Sequence, residues 1–279
     1  MNDTASDDAL LTGIYLYCLA RLDCLAAVKE LAEDKLCGVD QNYCVAALPN
    51  SGVVAVIGEV LLSEFSEQNL QTLSWLGERA LRHEAVVARI MQVSPVLPVK
   101  FGTLYRSRSS LKQFIQQHHK AIDQALDKLR DKAEWSVKGY LQEDEARRII
   151  AAEDAGVQAR RAAMSQSPGV RYLQQKQLDT LIDTALEAAL SRAGNDLHQA
   201  LALHAEGATA LRLHASAVTG RSERMVFNAG FLLSAEALYG FRMELSEQQE
   251  AYKVIGLSLE LRGPWPPYNF CPDLSGAKA

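Results

Sequence analysis

The most constraining feature of this chain is its closing stretch, residues 253–270, which reads KVIGLSLELRGPWPPYNF. Aliphatic residues alternate there with small or polar ones, at Ile255, Leu257, Leu259 and Leu261. A period of two predicts a strand with one buried face. Three prolines follow, and proline fixes φ and donates no backbone hydrogen bond. We therefore expect the strand to end near Gly263 and the chain to leave the sheet as a stiff, extended arm.

Two interpretations of this arm are open. Trp265 and Tyr268 either fold back to cover the edge of a core or present an aromatic surface to a partner. Tryptophan is highly buried on average in globular proteins, which favours the first interpretation. On that interpretation the arm seals the second of two predicted sheets, and Trp265→Ala lowers the free energy of unfolding by a few kcal/mol.

The first hundred residues alternate between strand-like and helical patterns. Strands are predicted at residues 13–20, 43–48, 53–61 and 93–100. Helical patterns cover residues 21–36 and, after a Ser66 cap, residues 66–90. The turn sequence PNSG at residues 49–52 predicts a hairpin between the second and third strands. Prolines in the fourth strand indicate an edge position.

The second half repeats this order of elements with longer helices. Strands are predicted at residues 134–141, 208–215, 225–233 and 253–262, and helices at residues 143–166, 170–204 and 235–252. At 1.5 Å per residue, a helix over residues 170–204 would be roughly 50 Å long. We expect it to protrude or to pair with the preceding helix as an antiparallel hairpin.

These patterns predict an α+β protein of two domains, each with a ferredoxin-like βαββαβ sheet unit, with a helical hairpin inserted in the C-terminal half. The expected organisation is a disordered N-terminus (1–11), an N-terminal α/β domain (12–106), a connecting helix (107–131), a C-terminal α+β domain (132–270) and a disordered tail (271–279).

Composition and charge exclude several classes of function. The net charge of −5 argues against binding to nucleic acid or to an anionic membrane surface. The most apolar run, residues 53–62, is about half as long as a bilayer span requires. Residues 1–10 lack the basic start of a secretory signal, and five cysteines without a CxxC pair fit a reducing compartment. We therefore expect a cytoplasmic protein.

Residues that bind cofactors or metals form no recognisable pattern. The chain has no glycine-rich loop of the GxGxxG or GxxxxGK type. His118 and His119 are adjacent and would diverge by about 100° on a helix, so they do not predict a metal site. No cofactor and no metal are predicted.

Catalytic interpretations are no stronger. Cys18, Cys24 and Cys44 lie in apolar segments, which is typical of small buried thiols rather than nucleophiles. A basic group, formed by Lys100, Arg106 and Arg108, could hold an anion but is more typical of a solvated loop. We expect no enzymatic activity.

Three ordered motifs resemble the gas vesicle proteins GvpF and GvpL. The segment VLPVKFGTLY at residues 96–105 is similar to the LPVRFGT segment of that family, with Lys100 where arginine is usual. The segment EWSVKGY at 134–140 resembles its EW-x-VK strand, and GPWPPYNF at 263–270 resembles its GPWPPYSF ending. The residues that form this signature are Trp135, Gly263, Pro264, Trp265, Pro266, Pro267 and Tyr268. Fainter similarities extend the resemblance over residues 13–270.

The resemblance implies an accessory protein of gas vesicle formation in a bacterium or archaeon, located at the gas vesicle or in the cytoplasm, without a catalytic role. It implies an N-terminal α/β domain and a C-terminal α+β domain. It also implies that the chain binds the shell protein GvpA or other minor gas vesicle proteins and assists nucleation or assembly of the shell. The alternative is a minor structural component of the shell itself.

Two surfaces are candidates for docking GvpA. A shell protein with one apolar face needs that face covered until it assembles. An edge strand can provide cover by strand addition, and the corresponding partner-binding residues would be Val96, Leu97, Val99, Lys100 and Phe101. The long helix at residues 170–204 can provide cover through its apolar side chains.

Overall fold

The computed structural model describes residues 11–33, 38–215 and 220–274. The chain has a mixed α+β fold with two sheets and divides into two compact units, Met1–Glu134 with Trp265–Ala279, and Trp135–Pro264. The predicted α+β class is confirmed. Most of the two ends expected to be disordered, residues 1–10 and 275–279, lies outside the described residues.

The described part of the first unit contains one sheet and its covering helices. The strands are β1 (Thr12–Arg21), β2 (Ala46–Asn50), β3 (Val53–Leu61), β4 (Val96–Pro98) and β5 (Leu104–Tyr105). The helices are α1 (Leu25–Glu33), α2 (Glu67–Gln71), α3 (Leu73–Met91), α4 (Arg108–Gln117) and α5 (His119–Lys128). The sheet order is β2-β3-β1-β4 with β5 also paired to β1, and the four main strands are antiparallel. This is the predicted split βαββαβ order.

The hairpin between β2 and β3 follows from its turn residues. Ser51 and Gly52 both have positive φ, 52° and 83°, which is the backbone of the tightest hairpin turns and suits glycine in particular. Asn50 pairs with Val53 across the turn. Because register has a period of two, this pairing sends the apolar side chains of β3 into the core.

Three predicted helices are interrupted: two in this unit, and the one at residues 143–166, which ends at Glu153 and resumes at Ala155. The Ser66 side chain accepts from the Asn69 N–H at 3.2 Å but caps only the short helix α2. Thr72 then takes an extended conformation (φ −86°, ψ 109°) and its hydroxyl donates to the Gln68 carbonyl at 3.0 Å. A β-branched threonine with a competing hydroxyl favours such a break. The predicted connecting helix is likewise divided, at His118, into α4 and α5.

Helices α4 and α5, predicted as the connecting helix, belong to the first unit and pack on its sheet. The guanidinium of Arg21, at the end of β1, donates to the Asp123 carbonyl at 3.0 Å and to the Asp127 carboxylate at 2.8 Å. Both acceptors lie on α5. These bonds, together with contacts of α5 to β1 and β4, hold α5 against the sheet.

The second unit repeats the topology. Its strands are β6 (Lys132–Leu141, which starts in the first unit), β7 (Gly207–Ala210), β8 (Arg224–Ser234) and β9 (Leu257–Trp265), in the order β7-β8-β6-β9. Its helices are α6 (Glu143–Glu153), α7 (Ala155–Ala162), α8 (Pro168–Ala202) and α9 (Ala237–Lys253). The sequence order of elements and the sheet order match those of the first unit, as predicted.

The long helix α8 is continuous over 35 residues, with Pro168 in its first turn, where the missing N–H costs nothing. Its middle packs on the preceding helices through an apolar cluster that includes Val157, Leu178 and Ile182. The predicted pairing of this helix with the helical segment before it is therefore present.

The closing strand differs from its prediction at its end. Strand β9 continues to Trp265 through a cis peptide bond between Gly263 and Pro264, rather than stopping near Gly263. Strand β9 lies at the edge of the sheet and has a neighbouring strand on one side only. An edge strand tolerates a residue without an N–H, such as Pro264.

A capping difference on the second unit gives a testable prediction. The Asp154 carboxylate accepts from the Val157 N–H at 2.9 Å at the start of α7, whereas the side chain of Gln142 makes no such bond at the start of α6. We expect Asp154→Ala to lower the free energy of unfolding by about 1 kcal/mol and Gln142→Ala to have little effect. Urea unfolding of both variants measures the difference, and equal losses would contradict it.

Candidate functional site

The predicted docking strand is only partly accessible. Strand β4 pairs with β1 at the edge of the first sheet, as its prolines indicated. The side chains of Val96 and Leu97 are buried, with exposed fractions of 1% and 2%. Val99 and Phe101 are half-buried and Lys100 is exposed. Of the five residues expected to bind a partner, only the last three therefore present side-chain surface.

Phe101 is held by an aromatic cluster. Its ring centroid lies 6.0 Å from that of Tyr15, 6.3 Å from that of Phe65 and 6.4 Å from that of Trp75. The guanidinium of Arg79 covers the Trp75 ring at 4.2 Å, a cation–π contact. The loop that carries Lys100 is therefore packed onto the first unit through Phe101.

A chain of hydrogen bonds runs through the centre of this cluster. The Gly102 N–H donates to the Tyr15 hydroxyl at 3.2 Å, and Tyr15 Oη lies 2.8 Å from His83 Nδ1. His83 Nε2 lies 3.1 Å from the Tyr268 hydroxyl, which donates to the Glu84 carboxylate at 3.0 Å. Since the Tyr268 proton is used by Glu84, the His83 proton must sit on Nε2. Nδ1 then accepts from Tyr15.

Burial shifts the titration of these groups. It lowers the pKa of His83 to about 4, against a backbone hydrogen bond at Val99 that raises it. It also raises the pKa of Glu84, whose hydrogen bond from Tyr268 acts in the opposite direction. His83 is therefore neutral at pH 7 and fits the tautomer that the hydrogen bonds require.

The proline-rich arm is part of this site. Pro266 and Pro267 are buried, and the backbone N–H and side-chain amide of Asn269 donate to the two oxygens of Glu134 at 3.0 and 2.6 Å. Glu134 is only 5% exposed. The Cys271 thiol donates to the Pro267 carbonyl at 3.1 Å, so the first residues of the tail expected to be disordered are bonded.

Two predictions about the arm are wrong. Trp265 does not cover a core, because it is 45% exposed. Residues from Trp265 onward belong to the first unit and do not seal the second sheet. The physical reason is hydrogen bonding: within the first unit, His83 and Glu84 bond the Tyr268 hydroxyl, and Glu134 accepts from the Asn269 amide.

The remaining signature residue, Trp135, lies in the second unit. It is 9% exposed and has the guanidinium of Arg242 at 5.5 Å from its ring centroid. It lines a groove together with residues of α9 and β9, including Gly263.

Two of the three cysteines considered as nucleophiles are buried as expected, and the third, Cys44, is not. Cys18 and Cys24 are buried thiols, and burial raises the pKa of Cys24 to about 11 and that of Cys18 well above its usual range. Both stay protonated near neutral pH, unlike reactive thiols. Cys44 is exposed. Arg108 pairs with Glu59 at 3.2 Å.

His118 and His119 each contact a neighbouring group of the protein. His119 Nε2 bonds the Ser51 carbonyl at 2.8 Å, and the His118 ring lies 4.6 Å from the Phe114 ring. Among the residues that the structure describes, no three His, Cys, Asp or Glu side chains group as metal ligands. Within those same residues, no helix is sufficiently long and apolar to cross a bilayer.

The fold is similar to that of two solved structures. The crystal structure of the gas vesicle protein GvpF from Anabaena sp. PCC7120 matches with a TM-score of 0.64 and 19% identity, covering 94% of this chain and 96% of that one. The crystal structure of GvpF from Microcystis aeruginosa matches with a TM-score of 0.62 and 16% identity, covering 92% and 98%. At these identities the likeness establishes the fold.

Sequence comparison identifies the family. Gas vesicle protein L of a Streptomyces species is 28% identical, over 80% of this chain and 81% of its own length. Gas vesicle protein L1 of Halobacterium salinarum is 24% identical, over 97% and 95%. The family model for gas vesicle synthesis protein GvpL/GvpF matches residues 13–272. This chain therefore belongs to the GvpL/GvpF family of gas vesicle synthesis proteins.

Proposed function

We propose that this chain binds the gas vesicle shell protein GvpA, alone or with other minor gas vesicle proteins, and assists nucleation or assembly of the shell. The observation that carries the proposal is the family match over residues 13–272, on a chain whose candidate residues for catalysis are buried, paired or solvated. The proposed role is one of protein–protein contact rather than chemistry.

An exposed apolar surface at the start of α8 supports this role. Val170, Tyr172 and Leu173 are 47%, 61% and 62% exposed. They are neighbours because they lie within two turns of the same helix. Neighbouring exposed apolar side chains are typical of interaction sites. An amphipathic helix of this kind can cover the apolar face of a second protein by side-to-side packing.

The loop after β4 is the second candidate surface. With Val96 and Leu97 buried, docking there would use the exposed edge of β4 together with Val99, Lys100 and Phe101. The apolar side chains of this loop, Val99 and Phe101, are half-buried, whereas those at the start of α8 are exposed, so we place the main GvpA contact on α8.

The test is co-purification of GvpA with the tagged full-length chain after co-expression. We expect the double variant Tyr172→Glu, Leu173→Glu to recover at least about tenfold less GvpA, because two charges would be buried at the contact. Leu203→Glu is the matched control, since Leu203 follows the same helix and is 86% exposed. Equal loss in the control, or no GvpA recovered with the unmodified chain, would contradict the proposal.

A further inference from the structure

Strand β9 leaves one side of the second sheet open. It pairs with β6 and is the last strand in the order β7-β8-β6-β9. In a strand, the N–H and C=O groups of alternate residues point to the same side. The backbone N–H and C=O groups of Leu257, Leu259 and Leu261 therefore point to the same side of β9, the side away from β6.

A side-chain amide already occupies the start of this edge. The Leu259 N–H donates to Gln249 Oε1 at 2.6 Å, and Gln249 Nε2 donates to the Leu257 carbonyl at 3.3 Å. Gln249 projects from α9. One amide thus makes the two hydrogen bonds that the C=O and N–H of one residue in a parallel neighbouring strand would make. The edge is therefore able to bind amide groups.

A groove continues from Gln249 along the rest of the strand. It lies between α9 and β9, has a volume of about 460 Å³ and is lined by Trp135, Arg242, Leu245, Leu259 and Leu261. Trp135 and Leu245 are both 9% exposed, so its floor is part of the core. The volume is in the range of sites that accept several side chains or a small ligand.

The groove carries one charged side chain among its lining residues, that of Arg242. Arg242 lies over the Trp135 ring at 5.5 Å, and in the ranges 11–33, 38–215 and 220–274 it has no ion pair with a carboxylate. Arg262, on the neighbouring strand surface, is by contrast paired with Glu260 at 2.9 Å. An exposed arginine beside an aromatic ring is suited to bind a carboxylate.

We propose that the groove between α9 and β9 binds an extended peptide segment of a partner protein. The segment adds to β9 beyond Gln249, along Leu261 and Gly263. It places an apolar side chain against Trp135 and Leu245 and a carboxylate on Arg242. This surface is separate from the α8 surface described above, and it defines its partner by chemistry: alternating apolar residues with one acidic residue.

Fluorescence anisotropy of labelled peptides with the full chain tests this site. The probes are the peptide TVEVTV, its twin TVQVTV, and TVEVTV with alternate backbone nitrogens methylated. We expect TVEVTV to bind about tenfold more tightly than either of the others, because they lack the carboxylate or the strand hydrogen bonds. Arg242→Gln should abolish the difference between TVEVTV and TVQVTV.

Arg262→Gln is the matched control and should leave that difference unchanged, since its guanidinium is already paired. Circular dichroism confirms that both variants fold, and the comparison of peptides on the unmodified chain does not depend on any variant. The proposal is overturned if no peptide binds below about 1 mM, a range that covers weak recognition. It is also overturned if all three bind alike, or if Arg262→Gln acts as Arg242→Gln does.

Discussion

Replacing Tyr268 with alanine is expected to lower the free energy of unfolding of the first unit by about 3 kcal/mol. The change removes a ring that lies 6.4 Å from that of His83. It also leaves His83 Nε2 and the Glu84 carboxylate without the hydroxyl they share. Urea unfolding measures the loss, and hydrogen exchange of β1 amides assigns it to the first unit.

Two variants separate the causes. Tyr268→Phe keeps the ring and should cost about 1 kcal/mol, the usual contribution of a hydrogen bond. Trp265→Ala should cost less than about 1 kcal/mol, because the indole is 45% exposed. If Trp265→Ala were the most destabilising of the three, tryptophan rather than tyrosine would anchor the arm.

Acidification is expected to destabilise the first unit through His83. The pKa of His83 is lowered from 6.5 to about 4 by burial, so between these pH values the unfolded chain binds more protons than the folded one. The free energy of unfolding must therefore fall as the pH falls through this window, by up to about 3 kcal/mol. Urea unfolding at intervals between pH 7 and pH 4 measures the slope.

His83→Gln is the reference for this experiment, because glutamine does not titrate. The raised pKa values of Glu84 and Glu134 act in the opposite direction, stabilising the fold as the pH falls, and both carboxyl groups remain in the variant. The unmodified chain should therefore lose more stability than the variant between pH 6.5 and pH 4. Parallel curves would show that His83 does not carry the effect.

The strands could be predicted because their signals are local. The hairpin at residues 46–61 follows from period-two patterns and the turn at Ser51 and Gly52. The helix breaks at Thr72 and His118 could not be predicted, because neither residue type by itself ends a helix. Helices α4 and α5, which were predicted as one connecting helix, cover the first sheet. This cover explains why Leu97 is buried.

The buried network was missed although part of its signal was present. His83 precedes Val86, Val87 and Ile90 by three, four and seven residues, and all four are buried on one face of α3. That spacing places a histidine among core residues. The position of the proline-rich arm had no such signal, because prolines fix its conformation but not its partners. Glu134 and Glu84 decide the partners, and they are distant in sequence from Tyr268 and Asn269.

We propose that this GvpL/GvpF family member binds GvpA before the shell is complete. The most direct measurement is the distribution of the chain and of bound GvpA between the soluble fraction and washed, floated gas vesicles. The claim predicts the chain in the soluble fraction in complex with GvpA, and little of it on the vesicles. A chain that floats with washed vesicles, with no soluble complex, would contradict the claim and indicate a minor structural component of the shell.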